Sequence, residues 1–355
     1  MRKSILLLLV FVFLLTTLTG CFDAQEVSEW SYVYSIGLEK GQTDKLRLTV
    51  QLQSMKSSSG EGSDPGKPQG EGDIETVSVD CPTFHSGLDL INTYVSRQVN
   101  YMHTKYLVFS ENLAKEGVDP YVNALIRGRQ IRRNIYFIVS RGSARELLQN
   151  NTMAISSSLT KKEQNMIVEG SRTGFYSHST YGDIINDMKN YYGQGTALLA
   201  AVNDESKFIE GEGTGETPFK SLGDYNAGEV ARKGGSKAEI LGTAVFDGGK
   251  LVGELNGDET RALLMVRNEF YRGFFVAQDP MDSKKLITMD IRRQKSPKVT
   301  ANLEQENPVI DVEIFLEGDI LAMQSTINYE SKELKPLIEN EYKQLIKEQI
   351  DKTIK

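Results

Sequence analysis

The chain has 355 residues, a formal charge of −7, 39% hydrophobic and 8% aromatic residues. An acidic body of this kind lacks the basic footprint that nucleic-acid binding needs, and its length is too great for one ordinary core, so two or three domains are expected. Among its two cysteines and three histidines, none stands at metal-ligand spacing from another, so no zinc motif is present and no metal is expected.

The first element is Arg2-Lys3, followed by an almost wholly apolar run from Ile5 to Leu18 and then Leu18-Thr19-Gly20-Cys21. Basic residues hold an N-terminus on the cytoplasmic side. The apolar run is shorter than the roughly 20 residues of a spanning helix. Thr19 and Gly20 are small enough to admit a signal peptidase before Cys21. This is the order of a bacterial lipoprotein signal over residues 1–20. The Cys21 sulfur then carries a diacylglyceryl group, and palmitate-type acyl chains are its covalent lipid. The competing reading is an ordinary secretory signal that happens to end in cysteine. Removing residues 1–20 takes away Arg2 and Lys3 and no acid, which moves the formal charge from −7 to −9. So acidic a body argues against holding anionic lipid by charge, whereas two chains on one cysteine anchor stably. A lipidated Cys21 leaves Cys81 without an intrachain partner; an unmodified Cys21 leaves a Cys21–Cys81 bridge open.

Tyr32 to Leu38 reads as a strand. At 46–53 Leu46, Leu48, Val50 and Leu52 alternate with polar residues, so the two pair as a hairpin. Residues 56–73 are Ser-, Gly-, Pro- and acid-rich and form a mobile insert that cannot fold alone. A strand at Ile74–Val79 is followed by a helix over about 87–99 and a strand at Tyr106–Phe109. A short helical turn ends at Gly117. Asp119 is read as the cap, with Pro120 at the first position, of a helix to about Arg127. A strand spans Ile135–Val139, and Ser143 caps a helix over Ala144–Gln149. Further helices are expected over 158–169 and 181–190, the second opened by the capping box Thr180-x-x-Asp183. These elements make residues 21–190 an N-terminal α+β domain. Residues 191–238 hold one strand, Ala197–Val202, and read as a small middle module or linker.

From 239 the pattern sharpens into a C-terminal α+β domain, 239–355. Ile240–Phe246 and Lys250–Leu255 flank Asp247-Gly248-Gly249, a hairpin signal. Asn256 caps a helix with Glu259 reaching back. Strands are expected at 270–277, 285–292, 298–304 and 309–316, and one long helix carries Leu334 through Ile350 at helical spacing. The fold class is α+β, with mixed and antiparallel sheets and helices packed on them.

Chemistry is sparse. His85, His103 and His178 stand apart, and His103 before a strand reads as structural. No Gly-x-Ser-x-Gly is present. The Gly-rich stretches at 60–62 and 211–215 lack the strand before and helix after that a phosphate cradle needs. No enzymatic activity is expected. The basic cluster Arg127, Arg129, Arg132 and Arg133 stands out in an acidic chain. It is either a solvated helix end favoured by the dipole or a docking patch for an acidic partner. Glu259 is most simply a cap and Arg261 a surface or interdomain ion pair, and both share the docking alternative.

Several segments resemble one family. Cys21-Phe22-Asp23, Glu26 and Ile36-Gly37-Leu38-Glu39-Lys40 resemble the start of the Ger(x)C family of spore germination lipoproteins. His103-x-Lys105, Leu113-Ala114-x-Glu116-Gly117, Arg127 and Arg132 resemble the rest of its N-terminal region. The most specific likeness is Gly242-Thr243-Ala244-Val245-Phe246, Lys250-Leu251-Val252-Gly253 and Glu259-Thr260-Arg261-Ala262-Leu263-Leu264. The resemblance implies a three-domain α+β lipoprotein without known catalytic activity. It implies the C subunit of a nutrient germinant receptor, on the outer face of the endospore inner membrane beside two integral membrane subunits. Phe22 stands where the family often has Trp, and the insert at 56–73 is not a family signature. The family usually continues beyond the long helix with a closing strand, so an incomplete third domain is an expectation here.

The alternative function is an extracytoplasmic solute-binding lipoprotein that delivers a nutrient to a transporter. Against it, strand–helix alternation does not persist through the second half, as two doubly wound lobes would require.

Overall fold

The expected first hairpin forms from β1 (Trp30–Lys40) and β2 (Leu46–Gln53), antiparallel from Tyr32 opposite Gln53 to Lys40 opposite Leu46. The computed structural model describes residues 2–7, 11, 26, 29–53, 74–128, 130–151, 170, 172–190, 193–213, 215, 218–302 and 309–354. Cys21, Arg129, the insert at 56–73 and the helix expected over 158–169 lie outside the described residues.

Next, β3 (Ile74–Cys81) pairs with β2. α1 (Phe84–Asn92) opens on a Thr83–Ser86 capping box. It is shorter than the helix expected to 99, and the reason is local. The Asn92 side chain accepts the Val99 amide at 2.9 Å, offering the backbone an alternative to another helical turn. The chain then forms β4 (Gln98–Asn100), parallel to the start of β1. β5 (Tyr106–Ser110) is buried throughout, and Ser110 caps α2 (Glu111–Glu116). Gly117 ends α2 with φ 132°, open to glycine and strained for other residues. α3 (Asp119–Arg127) corrects one expectation. Asp119 is the first helical residue, and the N-cap is Val118, which has no side-chain cap bond. The Val118 amide donates instead to the Gly249 carbonyl at 2.8 Å.

β6 (Tyr136–Arg141) leads to α4 (Ala144–Asn150), capped by Ser143 as expected. α5 (Tyr181–Lys189) carries the Thr180–Asp183 capping box. β7 (Thr196–Val202), β8 (Ala238–Asp247) and β9 (Lys250–Leu255) follow. One sheet runs β3-β2-β1-β5-β6-β7-β8-β9, with β4 attached to β1. β1, β5, β6 and β7 are mutually parallel.

This topology differs from the expected middle module. Ala197–Ala201 is buried on both faces, as an interior strand must be, and β7 accordingly pairs with β6 and β8. Sheet pairing therefore runs across positions 191 and 239. Residues 203–237 are an excursion that returns to the sheet it left. Glu239 pins it there: its carboxylate accepts from Asn203 (2.9 Å), the Gly228 amide (2.7 Å) and Arg232 (3.0 Å).

α6 (Gly257–Val266) follows β9, and β10 (Arg272–Asp279), β11 (Asp282–Asn302) and β12 (Val309–Met323) form a second, antiparallel sheet. β11 replaces the two strands expected at 285–292 and 298–304. Pro297, which has no amide to donate, lies between the two expected segments. Register shifts at 293–295 and 295–298 carry the strand past it. α7 (Lys335–Ile354) buries Ile338, Tyr342 and Ile346. The Tyr342 hydroxyl donates to the Ile287 carbonyl at 2.6 Å, which ties the helix to β11. The observed class is α+β, as expected.

Candidate functional site

α6 links the two sheets. Its start is fixed by the Asn256–Glu259 capping box, with Glu259 N to Asn256 Oδ1 and Asn256 N to Glu259 Oε2 both 2.9 Å. Glu259 is therefore engaged as a cap. Its last turns contribute Leu264 and Met265 to the core of the second sheet. Between them Arg261 is only 1% exposed. This corrects two expectations for Arg261, a surface ion pair and a docking residue, because a buried guanidinium presents nothing to a partner. The guanidinium donates from Nε to the Thr173 carbonyl and from Nη1 to the Phe274 carbonyl, both at 2.8 Å. Its carbon lies 3.9 Å from the ring centre of Phe175 and 4.5 Å from that of Phe275, a stacking geometry that suits a desolvated guanidinium.

Glycines make room for this clamp. A Cβ on Gly174 would come within 3.2 Å of Arg261 Cγ, and one on Gly273 within 3.1 Å of Arg261 Nη2. Gly174 also has φ 69°. One turn earlier Asp258 is buried. Burial pushes its carboxyl up, against a Ser221 hydrogen bond and the Arg261 charge. Burial likewise lowers Arg261 to about 10, opposed by Asp258; the cation stays charged at neutral pH. Asp258, Thr173, Gly174 and Phe175 are absent from the sequence-based candidates. The one usable signal was that Arg261, Leu264 and Met265 share a helical face, which directs Arg261 inward.

The basic cluster behaves differently. Arg127, Arg132 and Arg133 are exposed, and none makes an ion pair with a described residue. Arg127 ends α3, while Arg132 and Arg133 lead into β6. His103 packs edge-on against Tyr32 at 5.1 Å, in keeping with a structural role.

A cleft of about 580 Å³ lies between α5 and the end of α6, lined by Tyr136, His178, Asp183, Asp187, Thr196 and Arg267 among others. Arg267 is engaged by Glu269 and Thr196 Oγ1, each at 3.1 Å. Burial raises the Asp187 carboxyl, with Arg267 opposing. Among the described residues there is no group of three or more His, Cys, Asp or Glu that could hold a metal, and no helix long and apolar enough to cross a membrane.

Residues 23–203 match the family described as spore germination protein N-terminal domain, and residues 241–355 match spore germination B3/GerAC-like, C-terminal. The chain belongs to the Ger(x)C family of spore germination proteins. Its relatives in Bacillus subtilis strain 168 include YfkR, 23% identical over 356 residues that cover 100% of this chain and 82% of YfkR. Spore germination protein KC is 22% identical over 365 residues, covering 100% and 83%. Spore germination protein B3 is 22% identical over 327 residues, covering 87% and 72%. A crystal structure of the GerBC protein aligns with 15% identity and a TM-score of 0.45 over 90% of this chain and 80% of that one. In this Ger(x)C protein the first family segment ends just after β7 and the second begins inside β8. Those two strands are hydrogen-bonded neighbours, so the family's two segments share a sheet. α6 lies wholly in the second segment, but its Arg261 holds the carbonyl of Thr173 and stacks on Phe175 in the first.

Proposed function

We propose that this Ger(x)C protein is a membrane-anchored, non-enzymatic subunit of a spore nutrient germinant receptor. A lipid on Cys21 holds it on the extracytoplasmic face of the membrane, the outer face of the spore inner membrane. It works by contact with integral membrane subunits. The observation that carries this reading is family membership over both segments; the order of Arg2-Lys3, the apolar run and Leu18-Thr19-Gly20-Cys21 supports the lipid anchor. Tethering confines the folded body near membrane-embedded partners and raises their effective concentration. The clamp at Arg261 suits such a role, since a contact made by either sheet is transmitted through one body. Spores lacking the gene should respond less to at least one nutrient, and Cys21→Ala should restore that response only in part. Unchanged germination in both strains with every nutrient, in a background without paralogues, overturns the proposal.

A second reading, solute binding, draws on the cleft between α5 and α6, where a carboxylate and a guanidinium line one space. A ligand that binds only the folded state raises its melting temperature. A thermal-shift screen of amino acids and sugars that moves the midpoint, with the shift lost in Asp187→Asn, would favour this reading.

A further inference from the structure

Four parallel strands begin at one end of the large sheet. Ser35 of β1 lies level with Tyr106 of β5, and Tyr106 with Tyr136 of β6. Trp30, the first residue of β1, therefore projects from the end where Arg132 and Arg133 enter β6. β1 and β6 both flank β5, so Ser35 and Tyr136 are about 10 Å apart across the sheet, and Trp30 lies five residues further toward the same end. Arg97 precedes β4, which begins with Gln98 beside Trp30. Arg97, Met102, His103, Arg132 and Arg133 are all exposed. Residues 95–105 and 127–136 contain no aspartate or glutamate. Arg97, Arg132 and Arg133 make no ion pair with a described residue.

The opposite end of the same strands is charged differently. There Lys40 pairs with Glu116, Arg47 with Asp80 and Lys115 with Glu111. Arg97, Arg132 and Arg133 thus gather at one end of an otherwise acidic body, while at the other end, among the described residues, unpaired Lys45 and Arg145 stand beside the paired charges. That is also the end from which the chain runs back to Cys21. Trp30 follows Cys21 by nine residues, a span of at most about 30 Å.

We propose that this end of the sheet rests on the membrane surface, with Arg97, Arg132 and Arg133 on anionic lipid headgroups. The inference rests on the reading of Cys21 as the lipid anchor. The net charge of the body repels such a surface, but screening limits that repulsion to about 8 Å at physiological ionic strength. Groups near the contact act most strongly; Glu29 and Glu75 also stand at this end, and the arginines supply the basic side of the contact. One lipid signal is reinforced by a second, electrostatic one, which fixes which way the body faces.

The test uses the full, lipidated chain on vesicles of phosphatidylcholine alone and of phosphatidylcholine with phosphatidylglycerol, read by amide hydrogen exchange. Residues 98–105 and 130–136 should exchange more slowly on the phosphatidylglycerol vesicles. The ratio should fall roughly fivefold for each arginine removed, should vanish in high salt, and should survive in Arg132→Lys/Arg133→Lys. Because the three side chains are exposed, Arg97→Glu/Arg132→Glu/Arg133→Glu should keep the wild-type melting temperature while losing the protection. Equal exchange on both vesicles, or protection that persists in the glutamate variant, overturns the inference. Protection that appears only when membrane proteins are reconstituted alongside overturns it in favour of an acidic protein partner. Flotation separates the underlying reading: a chain that fails to float with either vesicle has no working anchor, whereas one that floats without protection of this end has an anchor but a different orientation.

Discussion

Arg261 Nε lies 2.8 Å from the carbonyl oxygen of Thr173, 88 positions earlier in the chain. That bond joins the helix after β9 to the strap before α5, while Nη1 of the same guanidinium reaches the Phe274 carbonyl on β10. One side chain thus ties both sheets together.

Removing that side chain should be severe. Arg261→Met leaves two carbonyls and the Asp258 carboxylate buried without their cation, a loss of about 3–5 kcal/mol. Arg261→Lys should lose less, since it keeps the charge but lacks the planar fork. In urea unfolding, Asp258→Asn combined with Arg261→Met should be less destabilising than the two single changes added together, because the residues share one interaction.

The acid limb of stability should depend on Asp80. Its carboxylate accepts from Arg47 Nε at 2.7 Å and from the Gln42 and Thr43 amides, each at 2.9 Å. The Arg47 bond is the largest cause holding Asp80 well below the ordinary carboxylate range. A carboxyl depressed in the folded state contributes stability that is fully present above its unfolded value, near pH 4, and is lost as pH falls toward its folded value. Wild type should therefore lose about 1–2 kcal/mol more than Asp80→Asn between pH 5 and pH 2. Unfolding curves at several pH values check this, and parallel losses would remove Asp80 as the cause.

Two adjacent glycines should respond to alanine for different reasons. A Cβ on Gly249 would land on the Asp119 carboxylate, whereas Gly248 has open space around it but φ 56°. Gly249→Ala should destabilise by about 1–3 kcal/mol through overpacking, and Asp119→Ala should relieve it. Gly248→Ala should lose about 1 kcal/mol, and Gly248→Asn less, since asparagine tolerates that backbone. Melting temperatures of the variants and of the Gly249→Ala/Asp119→Ala pair decide the matter.

Cys81 should be chemically silent in the native protein. It is fully buried beside Gly87, and burial pushes its thiol up, so little thiolate is available to react. Maleimide labelling should proceed only as fast as the domain opens and should accelerate in urea. Prompt labelling in native buffer, or a Cys21–Cys81 bridge in the mass spectrum, would contradict it.

Much of the fold was legible because much of it is local. Ser143, Thr180 and Asn256 cap the helices they were expected to cap, since a cap depends on residues within one turn. The alternation at 46–53 and the Gly248-Gly249 turn likewise needed no distant partner. Asp119 misled because the Val118 amide donates to the Gly249 carbonyl, which no local pattern reveals. The middle module misled because the polar composition of 203–237 hides that both flanking strands belong to one sheet. Of the candidate site residues, Glu259 was rightly read as a cap, while the burial of Arg261 was missed although its helical face pointed inward.

By itself the sequence determined the family, the helix caps and the strand pattern, because each is written in neighbouring residues. Tertiary structure alone decided that β7 to β9 complete the large sheet. It also decided that Arg261 is enclosed between Phe175 and Phe275, and that Arg132 and Arg133 share the end of the sheet with Trp30. Those outcomes depend on which distant segments pair and on what desolvates a charge. Long-range hydrogen bonding and burial settle both, and the one local trace is the helical face that Arg261 shares with Leu264 and Met265.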